Sequence, residues 1–157
     1  MVKESMFSII QFDIEGRSVL DLFSGCGQLG IEAVSRGAKE AVFVDKSKQS
    51  AAVTLENIKS VGFEDKCKVY NKDYAAFLSG CSQKFDIIFL DPPYALDIGK
   101  TALKKIADRG LLNQDGVVVY ERDVPFTGEV MGLRAYDERR YGKAYLTFFA
   151  RGNEDEN

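Results

Sequence analysis

The stretch Ser18-Val19-Leu20-Asp21-Leu22-Phe23-Ser24-Gly25-Cys26-Gly27-Gln28-Leu29-Gly30 decides the fold. Ser18 to Phe23 is short and mostly apolar, which suits a buried strand. Gly25, Gly27 and Gly30 follow in a G-x-G-x-x-G spacing. Gln28 to Arg36 then places Leu29, Ala33 and Val34 on one helical face, and Gly37 supplies a stop. A strand, a glycine turn and a helix in that order open a parallel α/β sheet. Glycines there permit a tight turn and close approach of a ligand to the backbone. A tight turn with no ligand is the plainer reading of the same spacing.

Working outward, the alternation continues. Glu40 to Asp45 is a second apolar strand, and Ser47 can cap a helix carrying Ala51, Ala52, Leu55 and Ile58, which Gly62 ends. Cys67 to Tyr70 is a third strand and Tyr74 to Leu78 a helical turn. Phe85 to Leu90 is a fourth strand, almost wholly apolar, as expected with helices on both faces. Asp97 to Arg109 is helical and Val117 to Glu121 is a fifth strand. Upstream, Lys3 to Phe12 has Met6, Phe7, Ile9 and Ile10 at helical spacing. Then the rhythm changes: Val130 to Tyr136 and Ala144 to Ala150 read as strands joined through Arg139-Arg140-Tyr141-Gly142-Lys143. The expected fold is a doubly wound, Rossmann-like sheet. It is mostly parallel and finishes in an antiparallel hairpin at or near the edge. Residues 1–152 are expected to form a single domain, with 153–157 an acidic, frayed tail.

Composition narrows the chemistry. The 157 residues contain no histidine, which excludes imidazole general bases, Ser-His-Asp and Cys-His nucleophiles, and His-based zinc sites. Cys26, Cys67 and Cys81 form no CxxC pair, so they read as reduced thiols rather than a disulfide frame or metal cage. No metal is expected. No window approaches the roughly 18 apolar residues of a membrane span, and the start lacks a signal-peptide core; a cytoplasmic protein is expected. Lys and Arg number 21 against 24 Asp and Glu, a net charge of -3. That balance argues against a nucleic-acid partner unless the acids have other work.

The acids do have a pattern. Asp21, Asp45, Asp73 and Asp91 stand at or just past the C-terminal ends of four successive strands, the sheet edge where open parallel sheets hold ligands. Asp45 suits the two hydroxyls of a ribose, whether in NAD or in S-adenosylmethionine. Asp21, four residues before the first glycine, would repel a pyrophosphate but suits the ammonium end of S-adenosylmethionine. The sharpest motif is Asp91-Pro92-Pro93-Tyr94. Two prolines stiffen the loop and donate no hydrogen bonds. The Asp91 carboxylate and Pro92 carbonyl can grip an exocyclic amine, turning its lone pair toward a methyl donor and stabilising charge that develops on nitrogen. Tyr94 offers a stacking face for a flipped base. Such a transfer needs alignment rather than a histidine.

On these residues the chain resembles the RsmD-type S-adenosylmethionine-dependent methyltransferases, which make N2-methylguanine in bacterial small-subunit ribosomal RNA. The similarity runs nearly end to end, from Val2-Lys3-Glu4-Ser5-Met6-Phe7 through the glycine turn, Ser35-Arg36-Gly37-Ala38, Val44-Asp45, Asn57, Asp73 and Phe89-Leu90-Asp91-Pro92-Pro93-Tyr94 to Gly110-Leu111-Leu112 and Tyr141-Gly142. The resemblance implies a class I methyltransferase sheet with S-adenosylmethionine as cofactor. Asp21, Gly25 and Gly27 would lie at its methionine end, with Ser24 and Gly30 in the same binding turn. Asp45 would hold the ribose, Lys46 would flank the adenine, and Asp73 would accept from the adenine amino group beside Tyr74. Asp91, Pro92, Pro93 and Tyr94 would hold the target guanine, with Asp91 also reaching the cofactor. Cys26 and Gln28 depart from the small residues usual in that turn. Family members also carry a basic segment ahead of the helix at Lys3, which is not seen here. Arg139, Arg140 and Lys143 are the remaining candidates for RNA contact, though a solvated charged face reads as well.

The implied activity is methyl transfer to guanine N2 of 16S ribosomal RNA. The expected partner is that RNA, free or in an assembling subunit with ribosomal proteins, and a monomer is expected rather than an oligomer. Three other readings remain: methylation of another base amine such as adenine N6, an NAD-dependent dehydrogenase, and a non-catalytic module that docks on RNA or the ribosome.

Overall fold

The computed structural model describes residues 6–8, 14–93 and 98–152. Its strands are β1 (Ser18–Leu22), β2 (Glu40–Val44), β3 (Cys67–Tyr70), β4 (Phe85–Leu90), β5 (Leu112–Arg122), β6 (Leu133–Tyr141) and β7 (Ala144–Arg151). The helices α1 (Gln28–Ser35), α2 (Lys48–Ser60), α3 (Tyr74–Gly80) and α4 (Ile98–Arg109) connect the first five strands. All strands join one sheet in the order β3-β2-β1-β4-β5-β7-β6. The first five run parallel, and β7 is antiparallel to both β5 and β6. The strand order reverses between β1 and β4, the switch point at which such sheets bind ligands.

Burial follows the alternation of side chains. Leu20, Leu22, Ile88, Leu90 and Tyr120 point to one face, where Phe77, Leu78, Leu103 and Ile106 of α3 and α4 cover them. Val19, Phe43, Ile87, Phe89, Val119 and Phe148 point to the other, against Ala33, Val34, Ile58, Met6 and Phe7. The Phe7 and Phe89 rings lie 5.6 Å apart. Residues 6–8 are helical, as the spacing predicts; the rest of the Lys3 to Phe12 helix and the 153–157 tail lie outside the described residues.

At the N-terminal sheet edge, Asp86 ties three strands together. It accepts the Ser18 N–H at 2.9 Å, the Ser18 hydroxyl at 3.2 Å and Asn113 Nδ2 at 2.9 Å, with Arg17 at 3.8 Å. Burial raises its carboxyl. The Ser18, Asn113 and Arg17 interactions together outweigh that and hold it below the usual carboxylate range.

The C-terminal part differs from expectation in three ways. β5 starts at Leu112 rather than Val117, with an irregularity opposite Phe85 and Ile87. Val130 makes only an isolated bridge to Leu133, because Gly132 at φ 93° breaks the extended run and β6 starts after it. β6 also runs on through Arg139 and Arg140, so Gly142-Lys143 alone makes the turn. The hairpin is turned inward: β7 is interior and β6 is the edge. The reason is composition. Leu146, Phe148 and Phe149 of β7 are buried on both faces and need neighbours on both sides. The charged, largely exposed β6, with a bulge at Tyr136, suits an edge that must not recruit another strand.

Candidate functional site

A cavity of about 510 Å³ opens at the C-terminal ends of β1, β2 and β4, within the size range of small-molecule sites. Phe23, Val44, Tyr74, Pro92, Pro93 and Ile98 supply apolar walls; Gly25, Asp45, Lys46, Ser47, Lys72, Asp73 and Asp91 supply backbone and charge. Of the residues singled out from sequence, Gly25, Asp45, Lys46, Asp73, Tyr74, Asp91, Pro92 and Pro93 therefore converge on one space. Tyr94 lies outside the described residues.

Asp45 is bound at both oxygens. Oδ2 accepts the Gly25 N–H and Oδ1 the Ser47 N–H, each at 2.9 Å. Asn71 donates to the Asp45 and Lys46 carbonyls at 3.1 and 3.0 Å. The carboxylate is thus held against the glycine turn while remaining in the cavity wall. Asp73 caps α3 by accepting the Ala75 N–H at 3.1 Å. Tyr74 packs on Phe23 with ring centroids 5.2 Å apart.

Asp21, Ser24, Gly27 and Gly30 do not line the cavity; they build the turn beneath it. Asp21 shares the sheet face of its register partners Phe43 and Phe89, so its side chain points toward α1. There Oδ2 accepts the Gly30 N–H at 3.0 Å. α1 has no side-chain cap and no acid in its first turn, and this strand carboxylate satisfies one of the unpaired donors at its N-terminus. Burial pushes the Asp21 carboxyl up to about 8 against the Gly30 hydrogen bond, and Asp91 and Asp45 add to the rise. Gly27, at φ 82°, leaves no room for a side chain beside Thr54 and Phe43. Gly30 lies flat against the Phe43 ring.

Sequence reasoning missed Thr54 and gave Asn57, one of the residues of the family resemblance, no role; both support the turn from α2. Thr54, fully buried, donates to the Gly25 carbonyl at 2.8 Å and sits 3.3 Å from the Ser24 hydroxyl. Asn57 donates to the Cys26 carbonyl at 2.9 Å. A threonine and an asparagine one turn apart on an otherwise ordinary helix were the available signal. Phe23 was missed too. It has φ 68°, the only positive φ among the described non-glycine residues, and is held there as its own N–H and that of Ser24 both donate to the Val44 carbonyl. A bulky residue in this region is strained, and such strain gathers at binding sites. The Cys26 and Gln28 side chains face a separate surface hollow with Ile31 and Phe63, so their departure from small residues leaves the cavity unaltered.

Asp91 opens into the cavity, yet protein atoms crowd it from the sheet side. That crowding, with Glu121 beside it, pushes its carboxyl up to about 7. Asp45, Asp73 and Asp91 line the cavity, and the raised carboxyls of Asp21 and Asp91 add to its attraction for a cation only once they ionise. Among the described residues no group of His, Cys, Asp or Glu is placed to hold a metal ion, and no helix is long and apolar enough to cross a membrane. Cys26, Cys67 and Cys81 are free thiols.

The basic candidates lie on the same sheet edge. Arg122, at the end of β5, pairs with Tyr145, so the β6–β7 turn projects beside the C-terminal ends of the parallel strands. Three strand spacings place β6 about 14 Å from β4. Arg139 pairs with Asp137 at 3.1 Å. Arg140 donates to the Gly142 carbonyl at 3.0 Å and lies over the Tyr145 ring, and Lys143 is exposed in the turn.

Comparison with known proteins agrees with this geometry. The family model described as Conserved hypothetical protein 95 matches residues 1–150. YlbH of Bacillus subtilis, whose name proposes an rRNA methyltransferase, is 38% identical over 125 residues, 78% of this chain and 68% of that protein. Ribosomal RNA small subunit methyltransferase D of Haemophilus influenzae is 29% identical over 125 residues, 78% of this chain and 65% of that protein. The matched stretch thus spans about two thirds of these relatives' length. A conserved hypothetical protein of Streptococcus pyogenes has a solved structure that superposes with a TM-score of 0.88 at 32% identity, covering 96% of this chain and 95% of that one.

Proposed function

The chain belongs to the RsmD-type family of ribosomal RNA small subunit methyltransferases, and from that premise we infer that it methylates the exocyclic N2 amine of a guanine in small-subunit ribosomal RNA. The observation that carries the reading is the continuity of one cavity from the Gly25–Asp45 hydrogen bond to the Asp91-Pro92 loop. S-adenosylmethionine supplies an electrophilic methyl group on a sulfonium. Asp45 would hold the ribose hydroxyls, Phe23, Val44, Tyr74 and Ile98 would wall the adenine, and the cavity acids Asp45 and Asp91 would favour the cationic end. Arg140 and Lys143 meet the phosphate backbone of the RNA.

At the other end, Asp91 and the Pro92 carbonyl accept the two N–H bonds of the target amine. This directs its lone pair into the cavity and offsets the charge that develops on nitrogen. The amine loses one proton as it gains the methyl group. A carboxyl whose pKa lies at about 7 can hold that proton before solvent takes it. A dinucleotide fits poorly, because the α1 N-terminus that would bind its pyrophosphate is already occupied by the Asp21 carboxylate.

Asp91→Ala separates the two ends of the cavity. Methyl transfer is expected to fall at least 100-fold, while S-adenosylhomocysteine binding measured by calorimetry stays within a few-fold of wild type. Retained transfer in Asp91→Ala would refute the assignment.

A further inference from the structure

Of the bases with an exocyclic amine, only guanine carries a ring N–H next to it. In adenine and cytosine the neighbouring ring nitrogen is an acceptor. A site that selects guanine therefore needs a second acceptor beside the one that grips the amine. The fold supplies one. β4 and β5 run parallel with Leu90 opposite Tyr120, so Asp91 and Glu121 follow as neighbours where the two strands reach the sheet edge, about 4.8 Å apart in backbone spacing.

We propose that Glu121 reads the target base as guanine, its carboxylate accepting the ring N1–H while Asp91 and the Pro92 carbonyl hold the adjacent N2 amine. The inference rests on the base-amine reading above. Two further observations support it. Glu121 lies on the interior strand β5, paired with Leu146 of β7 and one residue past the last β4–β5 pair, Leu90 with Tyr120. Its neighbour Tyr120 is buried and packs so closely on Gly99 of α4 that a side chain at Gly99 would overlap the ring. Recognition groups on such rigid elements hold their geometry better than groups on loops. Adenine would place a ring lone pair against the Glu121 carboxylate, leaving both acceptors unpaired and repelling; sites built on such hydrogen bonds discriminate strongly.

The test uses the RNA segment that wild-type protein methylates and the same segment with 2-aminopurine at the target. 2-Aminopurine keeps the 2-amine but has a ring acceptor in place of N1–H. Wild-type kcat/KM is expected to favour guanine by about 100-fold or more. Glu121→Gln, whose amide can donate to that acceptor, is expected to lower guanine kcat/KM and shrink the preference below about tenfold, with S-adenosylhomocysteine affinity unchanged. An unchanged preference in Glu121→Gln overturns the inference and leaves the methyltransferase reading standing. So does equal use of both bases by wild type, which needs no variant to fold. Wild-type production of N6-methyladenine overturns the guanine reading and this inference together.

Discussion

Replacing Gly30 with alanine is expected to destabilise the protein by about 2 kcal/mol, although Gly30 touches no part of the cavity. An added Cβ would lie 2.7 Å from Phe43 Cζ, with Cε1 nearer still. Phe43 is fully buried between β1 and β3 and cannot swing into solvent. Relieving the overlap means moving either the ring or α1, and forcing extra carbon into a filled core costs about 1–3 kcal/mol. The close contact places this site near the upper end. Alanine recovers up to about 1 kcal/mol as the better helix former, which leaves the net figure. For a domain of this size that is a fall of about 4–8 °C in Tm. Urea unfolding of Gly30→Ala, Phe43→Leu and the double variant would measure it. Leucine removes the ring atoms that clash, so the double variant should be more stable than the sum of the two single losses by at least 1 kcal/mol. A single variant within 0.5 kcal/mol of wild type, or strict additivity, would refute the packing role given to this glycine.

Asp45→Ala removes the acceptor of two backbone N–H groups and one cavity wall. At about 1.5–3 kcal/mol for a hydrogen bond to a charged group, S-adenosylhomocysteine affinity should fall 10- to 100-fold by calorimetry. The cavity also has a pH signature. With Asp21 raised to about 8 and Asp91 to about 7, both are largely protonated at pH 6, so affinity for a cationic donor should rise from pH 6 to 9, measurable by equilibrium dialysis. The free protein should show the opposite sense: a raised carboxyl favours folding at low pH and loses that contribution as pH rises through its folded value. Tm should therefore decline toward pH 9, and less so in Asp21→Asn. Arg140→Ala combined with Lys143→Ala should raise KM for RNA several-fold and flatten its salt dependence, leaving donor affinity alone.

The glycine turn, the buried strands and the acids at the sheet edge were legible because each is a local pattern. Gly25, Asp45, Asp73 and Asp91 reach one cavity simply because successive parallel strands end at one edge. What could not be read locally depended on partners far along the chain. Asp21 faces α1 rather than the cavity because side chains alternate along β1 and the Gly30 N–H waits on that side. Ser24 turns away toward Thr54, 30 residues later. Phe23 leaves the regular path of the strand because two hydrogen bonds to Val44 hold it there. The antiparallel hairpin at the sheet edge was legible, but which of its strands lies inward was not. Both hairpin strands look amphipathic in isolation, and only the apolar demand on both faces of Leu146, Phe148 and Phe149 decides which is covered.

The most direct test of the central claim is transfer of labelled methyl from S-adenosylmethionine to small ribosomal subunits and to naked small-subunit RNA, followed by digestion and identification of the labelled nucleoside. Label is expected in N2-methylguanosine alone, and to be lost in Asp91→Ala. Label in N6-methyladenosine, label only in protein, or transfer undiminished by Asp91→Ala would contradict it.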